Sequence, residues 1–175
     1  MIMLKINNIS EKKAPEVIVD EYVPLSIRFD PDCRLPPLYW RGGNGKTSLL
    51  EIGVSRSSGV IVSVTVVTVA SVSFLSGEGL SEADSVALGV PVCDVREWSG
   101  EGGYSDDFLD DFSADFDLVM GVSNVAVVFR REASVSRFVK SGNVCFGVSL
   151  DGELLSIDVS CLSSVEMSVL EKLIN

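Results

Sequence analysis

The most constraining feature of this sequence is a run of alternating apolar and polar residues. The segments SLLEIGVS, 48–55, and GVIVSVTVV, 59–67, both alternate with a period of two. Such a period is typical of β-strands, because successive side chains of a strand point to opposite faces. The intervening RSSG, 56–59, has turn composition, so these segments are predicted to form a β-hairpin. The alternation shifts near Thr68, which predicts a β-bulge or a bend before the next strand, VASVSF.

The C-terminal part of the chain predicts a second hairpin and a helix. RFVKSGNVCFGVSL and ELLSIDVS flank the turn dipeptide Asp151-Gly152. Ser163 and Glu166 have the spacing of a capping box at the start of SSVEMSVLEKLI, which indicates a C-terminal helix. The apolar residues expected to pack that helix on the sheet are Val165, Val169, Leu170 and Leu173.

Other segments complete the predicted fold. Strands are expected over IMLKI, 21–29, 38–41, VPVCDV and 125–129, and a short helix over SEADSVAL, 81–88. The fold class is therefore α+β, mainly antiparallel β-sheet with one or two packed helices, including the C-terminal helix. A length of 175 residues without a compositional boundary predicts a single domain, 1–175.

The stretch WRGGNGKTS, 40–48, ends like a phosphate-binding P-loop. That motif needs a glycine five positions before its Gly-Lys pair, where this chain has Trp40, and a helix after it, where this chain has strand period. Pro36 and Pro37 argue against a buried central strand before it, because proline lacks a ladder donor. The interpretation is a glycine-rich turn between strands, with Arg41 and Lys46 in solvent.

Charge and composition narrow the function classes. The formal net charge of −11 predicts repulsion from nucleic acids and anionic membranes, so neither is expected as a partner. The absence of histidine excludes catalytic triads that use it and removes the commonest metal ligand. Four cysteines include no CxxC pair, and buried free thiols are expected. No catalytic residue, metal site or cofactor is predicted.

Targeting signals are not apparent in the sequence. The N-terminal segment has no signal-peptide pattern. The apolar run over 60–75 is shorter than the roughly 20 residues of a membrane-spanning helix, and its Val-Ser-Val-Thr composition is typical of strands. The protein is therefore expected to be cytoplasmic.

The segment SDDFLDDFSADFD, 105–117, is the most acidic part of the chain. From Asp94 to Asp117 there are nine acids and one base, so this region holds −8 of the net charge of −11. Phe108, Phe112 and Phe116 recur every four residues, which predicts an amphipathic helix with the phenylalanines on one face and Ser105 as its N-cap.

Three interpretations of this segment stay open. The aspartates are a solvated helix face, a docking surface for a basic partner, or, less readily, a metal site, although the spacing lacks the EF-hand pattern. The candidate partner-binding residues are Asp106, Asp107, Asp110, Asp111, Asp115 and Phe108. Nearby basic residues are expected to balance acids or to form a minor anion site; these are Arg130, Arg131, Arg137 and Lys140.

The segment LYWRGGNGKTSLLEIGVSRSSGVIVSVTVV, 38–67, resembles a block found in small bacterial immunity proteins. Those proteins are encoded beside polymorphic toxins of the contact-dependent growth inhibition and Rhs type. The shared features are an aromatic pair, a glycine-rich turn, SLLEIG, a short turn and a G-hydrophobic-hydrophobic-S-V-T strand, over about 30 of 175 residues. The resemblance implies a cytoplasmic protein that binds the C-terminal domain of a cognate toxin, often a basic nuclease, and blocks its active site.

Two alternatives remain beside a non-enzymatic immunity protein. One is an enzyme that uses carboxylates, with or without a divalent metal, for which Glu51 is a candidate pocket carboxylate. The other is a β-rich structural subunit of a phage or secretion assembly. An exposed edge of the valine-rich hairpin is a further expected contact, through addition of a partner strand.

Overall fold

A computed structural model describes residues 4–30, 34–75, 85–98 and 107–174, and β-strands dominate it. The first eight strands are β1 (Ile6–Ser10), β2 (Glu16–Ile18), β3 (Leu25–Arg28), β4 (Leu38–Gly43), β5 (Leu49–Val54), β6 (Ile61–Thr68), β7 (Val72–Phe74) and β8 (Ser85–Leu88). The others are β9 (Val90–Cys93), β10 (Phe108–Asp111), β11 (Phe116–Met120), β12 (Val125–Phe129), β13 (Arg137–Ser141), β14 (Val144–Val148) and β15 (Leu154–Val159).

One α-helix, α1 (Ser164–Glu171), follows the last strand, and short 3-10 helices cover Arg96–Trp98 and Lys172–Ile174. The predicted class, α+β and mainly β, is confirmed. No helix within the described ranges is long and apolar enough to cross a membrane.

The strands form two large sheets and one small one. The six-stranded sheet has the order β10-β4-β5-β6-β3-β2, and the seven-stranded sheet has the order β7-β11-β12-β15-β14-β13-β8. Strand β1 pairs with β9 in a separate two-stranded sheet. Three neighbouring pairs are parallel, β10 with β4, β11 with β7 and β13 with β8, and the others are antiparallel. In each parallel pair one member is an edge strand of its sheet. Parallel neighbours cannot be joined by a tight hairpin turn and need a longer connection.

Both predicted hairpins are confirmed, as β5–β6 and as β14–β15. Leu49 pairs with Thr68 but Leu50 pairs with Val66, so one extra residue is inserted into β6 where the bulge was expected. The prediction that this hairpin has an exposed strand edge is wrong. Strand β4 covers β5 and β3 covers β6, because distant segments complete the sheet on both sides.

The two large sheets share one apolar core. Trp40 of β4 meets Phe129 of β12 edge to face, with ring centroids 5.7 Å apart. Phe29, which follows β3, lies 5.8 Å from Phe146 of β14. Residues of both sheets and of α1 therefore belong to a single buried cluster, in which aromatic pairs contribute beyond their buried area.

Helix α1 begins with the predicted capping box, in which Ser163 and Glu166 satisfy each other's backbone donors. Its buried residues are Met167 and Leu170. The expectation that Val165 packs on the sheet is wrong, since it is 73% exposed. Positions 167 and 170 lie three residues apart on one helix face, whereas residue 165 lies on another.

Two predicted helices are wrong. Residues 85–88 of the proposed 81–88 helix form β8 and pair with β13, while 81–84 lie outside the described residues. Residues 108–111 and 116–117 of the proposed 105–117 helix belong to β10 and β11, while 105–106 lie outside the described residues. Pairing with distant strands outweighed local helical preference in both segments, including the four-residue period of the phenylalanines in 105–117.

Replacing Phe129 by alanine should remove the ring between the two sheets and leave a cavity. We expect the free energy of unfolding to fall by about 3–5 kcal/mol. Urea titration followed by fluorescence would measure the loss. Val122→Ala, at a side chain that is 93% exposed, is the control and should change stability by about 0.5 kcal/mol or less. Equal effects of the two substitutions would contradict the proposed packing.

Candidate protein-binding site on the acidic crossover

Residues 107–117, here called the acidic crossover, connect the two large sheets. The segment begins as β10 at the edge of the six-stranded sheet and continues into β11 of the seven-stranded sheet. The backbone N–H of Tyr39 donates to the carbonyl oxygen of Asp107 at 2.7 Å, and that of Gly43 donates to Ala114 at 2.8 Å. The crossover is therefore fastened along the whole length of β4.

An exposed aromatic side chain marks the outer face of the crossover. Phe108 is 39% exposed, and its ring stacks on Tyr39 with centroids 5.6 Å apart. The guanidinium carbon of Arg41 lies 4.5 Å from the same ring centroid. Phe108, Tyr39 and Arg41 share this face because they alternate along paired strands.

Arg41 also holds the neighbouring carboxylate. Its Nε and one terminal nitrogen donate to the two oxygens of Asp110 at 2.6 and 2.9 Å. These hydrogen bonds raise the pKa of Arg41, so the guanidinium stays charged. The expectation that Arg41 is simply solvated is wrong, because β10 brings Asp110 into register with it.

Asp107 lies at the entrance to β10 and is half-exposed, at 51% of its side chain. It forms an ion pair with Arg56, whose Nε donates to the carbonyl oxygen of Pro36 at 2.7 Å. Arg56 comes from the turn of the β5–β6 hairpin, so the central hairpin helps to orient this carboxylate.

Asp111 points the other way, into the protein. Its side chain is only 3% exposed, and one oxygen accepts the hydroxyl of Ser113 at 2.6 Å. The other oxygen lies 3.8 Å from a guanidinium nitrogen of Arg131, which follows β12. A buried carboxylate needs such partners, because removing it from water is costly.

The last two aspartates of the crossover share Arg130. One oxygen of Asp115 accepts the buried Ser48 hydroxyl at 3.0 Å, and the other lies 2.9 Å from Arg130. Asp117 accepts two hydrogen bonds from Arg130, at 3.0 and 2.6 Å, which hold the pKa of its carboxyl below the usual range. The expectation that basic residues balance nearby acids is confirmed for Arg130 and Arg131. Arg137 and Lys140 form no salt bridge with an acid of the described residues.

Folding therefore neutralises most of the charge that the sequence concentrates here. Four arginines, at positions 41, 56, 130 and 131, face five aspartates, at 107, 110, 111, 115 and 117, which leaves a local charge of −1. Two of these arginines come from the six-stranded sheet and two follow β12 of the seven-stranded sheet. The crossover is thus an electrostatic link between the sheets.

The structure divides the predicted partner-binding residues into two groups. Phe108, Asp107 and Asp110 are exposed, whereas Asp111 is buried and Asp115 is bound between Ser48 and Arg130. Asp106 lies outside the described residues. Contact with a partner stays a prediction for all six. Three residues of this surface were not predicted from the sequence, namely Tyr39, Arg41 and Arg56, although period two places the first two on one strand face.

The GNGKTS segment forms the predicted glycine-rich turn, between β4 and β5. The side-chain oxygen of Asn44 accepts the backbone N–H groups of Lys46, Thr47 and Ser48 at 2.9, 2.8 and 3.1 Å. A P-loop would direct such amides at a phosphate. Here an asparagine of the same loop occupies them.

The other residues considered for catalysis or metal binding are the remaining acids and the cysteines. Within the described ranges, no group of three or more cysteine and acidic side chains is placed to hold a metal ion. Glu51 on β5 is partly exposed and lies opposite Arg41 in register. Cys93, Cys145 and Cys161 are free thiols, and Cys33 lies outside the described residues. The expectation that the thiols are buried is confirmed for Cys93 and wrong for Cys161, which is exposed. Burial raises the pKa of the Cys145 thiol to about 11.

The comparisons with known protein families and with curated proteins returned no match. The resemblance to immunity proteins over 38–67 therefore remains an expectation from the sequence.

Asp111→Ala should test the buried half of the crossover. The substitution removes the acceptor of Ser113 and the countercharge of Arg131, so we expect a loss of about 3 kcal/mol in unfolding free energy. Asp107→Ala is the matched control, since its exposed ion pair should contribute no more than about 1 kcal/mol. Urea titration of both variants measures the difference. A stability of Asp111→Ala equal to that of Asp107→Ala would refute the structural role.

The Asp117–Arg130 pair predicts a pH dependence. Because the folded-state pKa of Asp117 is lowered, the pair stabilises the fold fully above the unfolded pKa of about 4. That contribution is lost as the pH falls through the lowered folded-state value. Asp117→Asn should therefore be less stable than the wild type at pH 7, by about 1 kcal/mol or less for an exposed pair, and the gap should narrow as the pH falls below the unfolded pKa of about 4. A gap that persists unchanged at low pH would contradict this origin.

Proposed function

We propose that this protein is a non-catalytic immunity protein that binds the C-terminal domain of a cognate toxin and blocks its active site. The toxin domain would be basic, as nuclease-type domains are, and the complex would form in the cytoplasm. The observation that carries the proposal is the exposed Phe108, which lies between the exposed Asp107 and Asp110 in sequence, on the edge strand of the six-stranded sheet.

The aromatic side chain favours a protein partner. Exposed aromatic residues that are surrounded by polar groups are typical anchors of protein interfaces. Phe108 is held in place by Tyr39 below it and Arg41 beside it, so little side-chain freedom would be lost on binding.

The carboxylates on either side favour a basic partner. Asp107 and Asp110 are ion-paired, yet each carboxylate has about four lone-pair sites and the arginines do not use all of them. Lysine or arginine side chains of a partner can bind the remaining sites. The net charge of −11 would also attract a basic domain from a distance and speed its association.

The backbone of β10 offers a further point of contact. Tyr39 binds the carbonyl of Asp107, so the alternation of a parallel ladder turns the N–H and C=O groups of Phe108 and Asp110 away from β4. In the described part of the chain no other strand pairs with that edge. A strand of the toxin domain could therefore extend the six-stranded sheet beside the aromatic anchor.

The first experiment is to identify a neighbouring gene for a large secreted protein and to co-express the C-terminal domain of that protein with this chain. A one-to-one complex on pull-down, together with rescue of growth, is expected. Failure of both would refute the proposal and favour a carboxylate enzyme, whereas self-association of the chain alone would favour a structural subunit.

Phe108→Ala should weaken toxin binding by at least about 30-fold, as loss of a hot-spot aromatic does. Phe74→Ala is a matched control, because Phe74 is 60% exposed and also lies on a parallel edge strand, in the other sheet. Titration calorimetry of both variants measures the difference. Similar affinities for the two variants would place the interface elsewhere.

Reversing the charges at Asp107 and Asp110 to lysine should slow association and reduce its dependence on salt, since exposed charges steer encounters. Glu16→Lys with Asp20→Lys makes the same change in net charge at exposed positions on and just after β2, the opposite edge of the sheet. Stopped-flow association rates at two salt concentrations compare the pairs. Equal rates would show that net charge, and not this surface, directs the encounter.

A further inference from the structure

A recess away from the acidic crossover carries a different combination of groups. Its volume is about 450 Å³, within the range of small-molecule sites. It is formed where β8 and β13 begin, next to the β14–β15 turn and the start of β1. The residues that line it are Ile6, Ser85, Ser136, Arg137, Ser149, Leu150, Asp151 and Gly152.

The recess contains a cation with no carboxylate partner in the described ranges. Arg137 is partly buried, and no acidic oxygen of the described residues lies within 4.0 Å of its guanidinium. The four arginines at the acidic crossover each lie beside a carboxylate. A planar guanidinium without a carboxylate partner among the described residues is suited to bind the carboxylate of a ligand through two parallel hydrogen bonds.

Asp151 lines the same recess without pairing with Arg137. Both residues are described, and their side chains form no salt bridge with each other, so neither charge neutralises the other. A ligand with both signs of charge could bind to each of them. A dianion such as a phosphate monoester would instead be repelled by Asp151.

Hydroxyl and apolar groups complete the recess. Ser149 is buried, and its Oγ accepts the backbone N–H of Glu153 at 3.0 Å, which leaves its own proton to donate. Leu150 is 89% exposed and provides an apolar surface. The charges and the apolar surface lie in one concave site.

We propose that this recess binds a free α-amino acid with an apolar side chain. The carboxylate of the ligand would bind Arg137, its ammonium group would bind Asp151, and its side chain would lie against Leu150. Serine hydroxyls would supply further hydrogen bonds to the carboxylate. The site shares no residue with the acidic crossover, so it stands or fails independently of toxin binding.

The test is a titration of the full-length ¹⁵N-labelled protein with L-leucine, followed by NMR chemical shifts. Two analogues each remove one charge: L-leucinamide lacks the carboxylate, and 4-methylpentanoate lacks the ammonium group. We expect saturable shifts with leucine, and affinity at least about tenfold lower for each analogue, since each loses a charge-assisted contact. These comparisons use only the wild-type protein and do not depend on how any variant folds.

Two variants then test which residue binds the carboxylate of leucine and which binds its ammonium group. Arg137→Met should weaken leucine binding about tenfold or more, and Asp151→Asn should weaken the binding of leucine but not that of 4-methylpentanoate, which Asp151 repels. Arg28→Met and Asp20→Asn, at exposed positions outside the recess, are controls that should bind as the wild type does. Absence of saturable leucine shifts, or equal binding of leucine and 4-methylpentanoate, would overturn the proposal.

Discussion

The candidate surface depends on the ion pairs that two adjacent arginines after β12 form with aspartates of the acidic crossover. Arg130 binds Asp115 and Asp117, and Arg131 lies beside the buried Asp111. Both arginines extend from the seven-stranded sheet, whereas β10 belongs to the six-stranded sheet. The crossover can run between the sheets because each acid that it brings near the interior meets a countercharge or a hydroxyl.

The same arrangement separates acids that support the site from acids that can touch a partner. Strand alternation turns Asp111 inward and Asp110 outward, although they are adjacent in sequence. The inward carboxylate is surrounded by protein, where an ion pair has a large effect on stability. The outward one lies in solvent, where its pairing with Arg41 mainly orients the side chain and the Phe108 ring beside it.

The acidic crossover and the Arg137 recess use charge in different ways. At the crossover, arginines and aspartates neutralise one another and present an aromatic ring at a strand edge, as a protein interface requires. In the recess, Arg137 and Asp151 lie in one concavity without pairing, which suits a small ligand with two charges. Both proposals follow from which charges the fold brings together and which it keeps apart.

By itself, the sequence determined the strands of the two hairpins, the irregularity near Thr68 and the capping box at Ser163. These features arise from neighbours within a few residues, so period-two alternation and turn chemistry reveal them. Only the tertiary structure decided that the acidic segment forms strands, that its aspartates meet four arginines, and that Arg137 lines a recess. Those outcomes depend on parallel pairing between segments as distant as Tyr39 and Phe108. The spacing of residues within one segment gives no information about such pairing. For this reason the four-residue period of the phenylalanines indicated a helix that the fold does not contain.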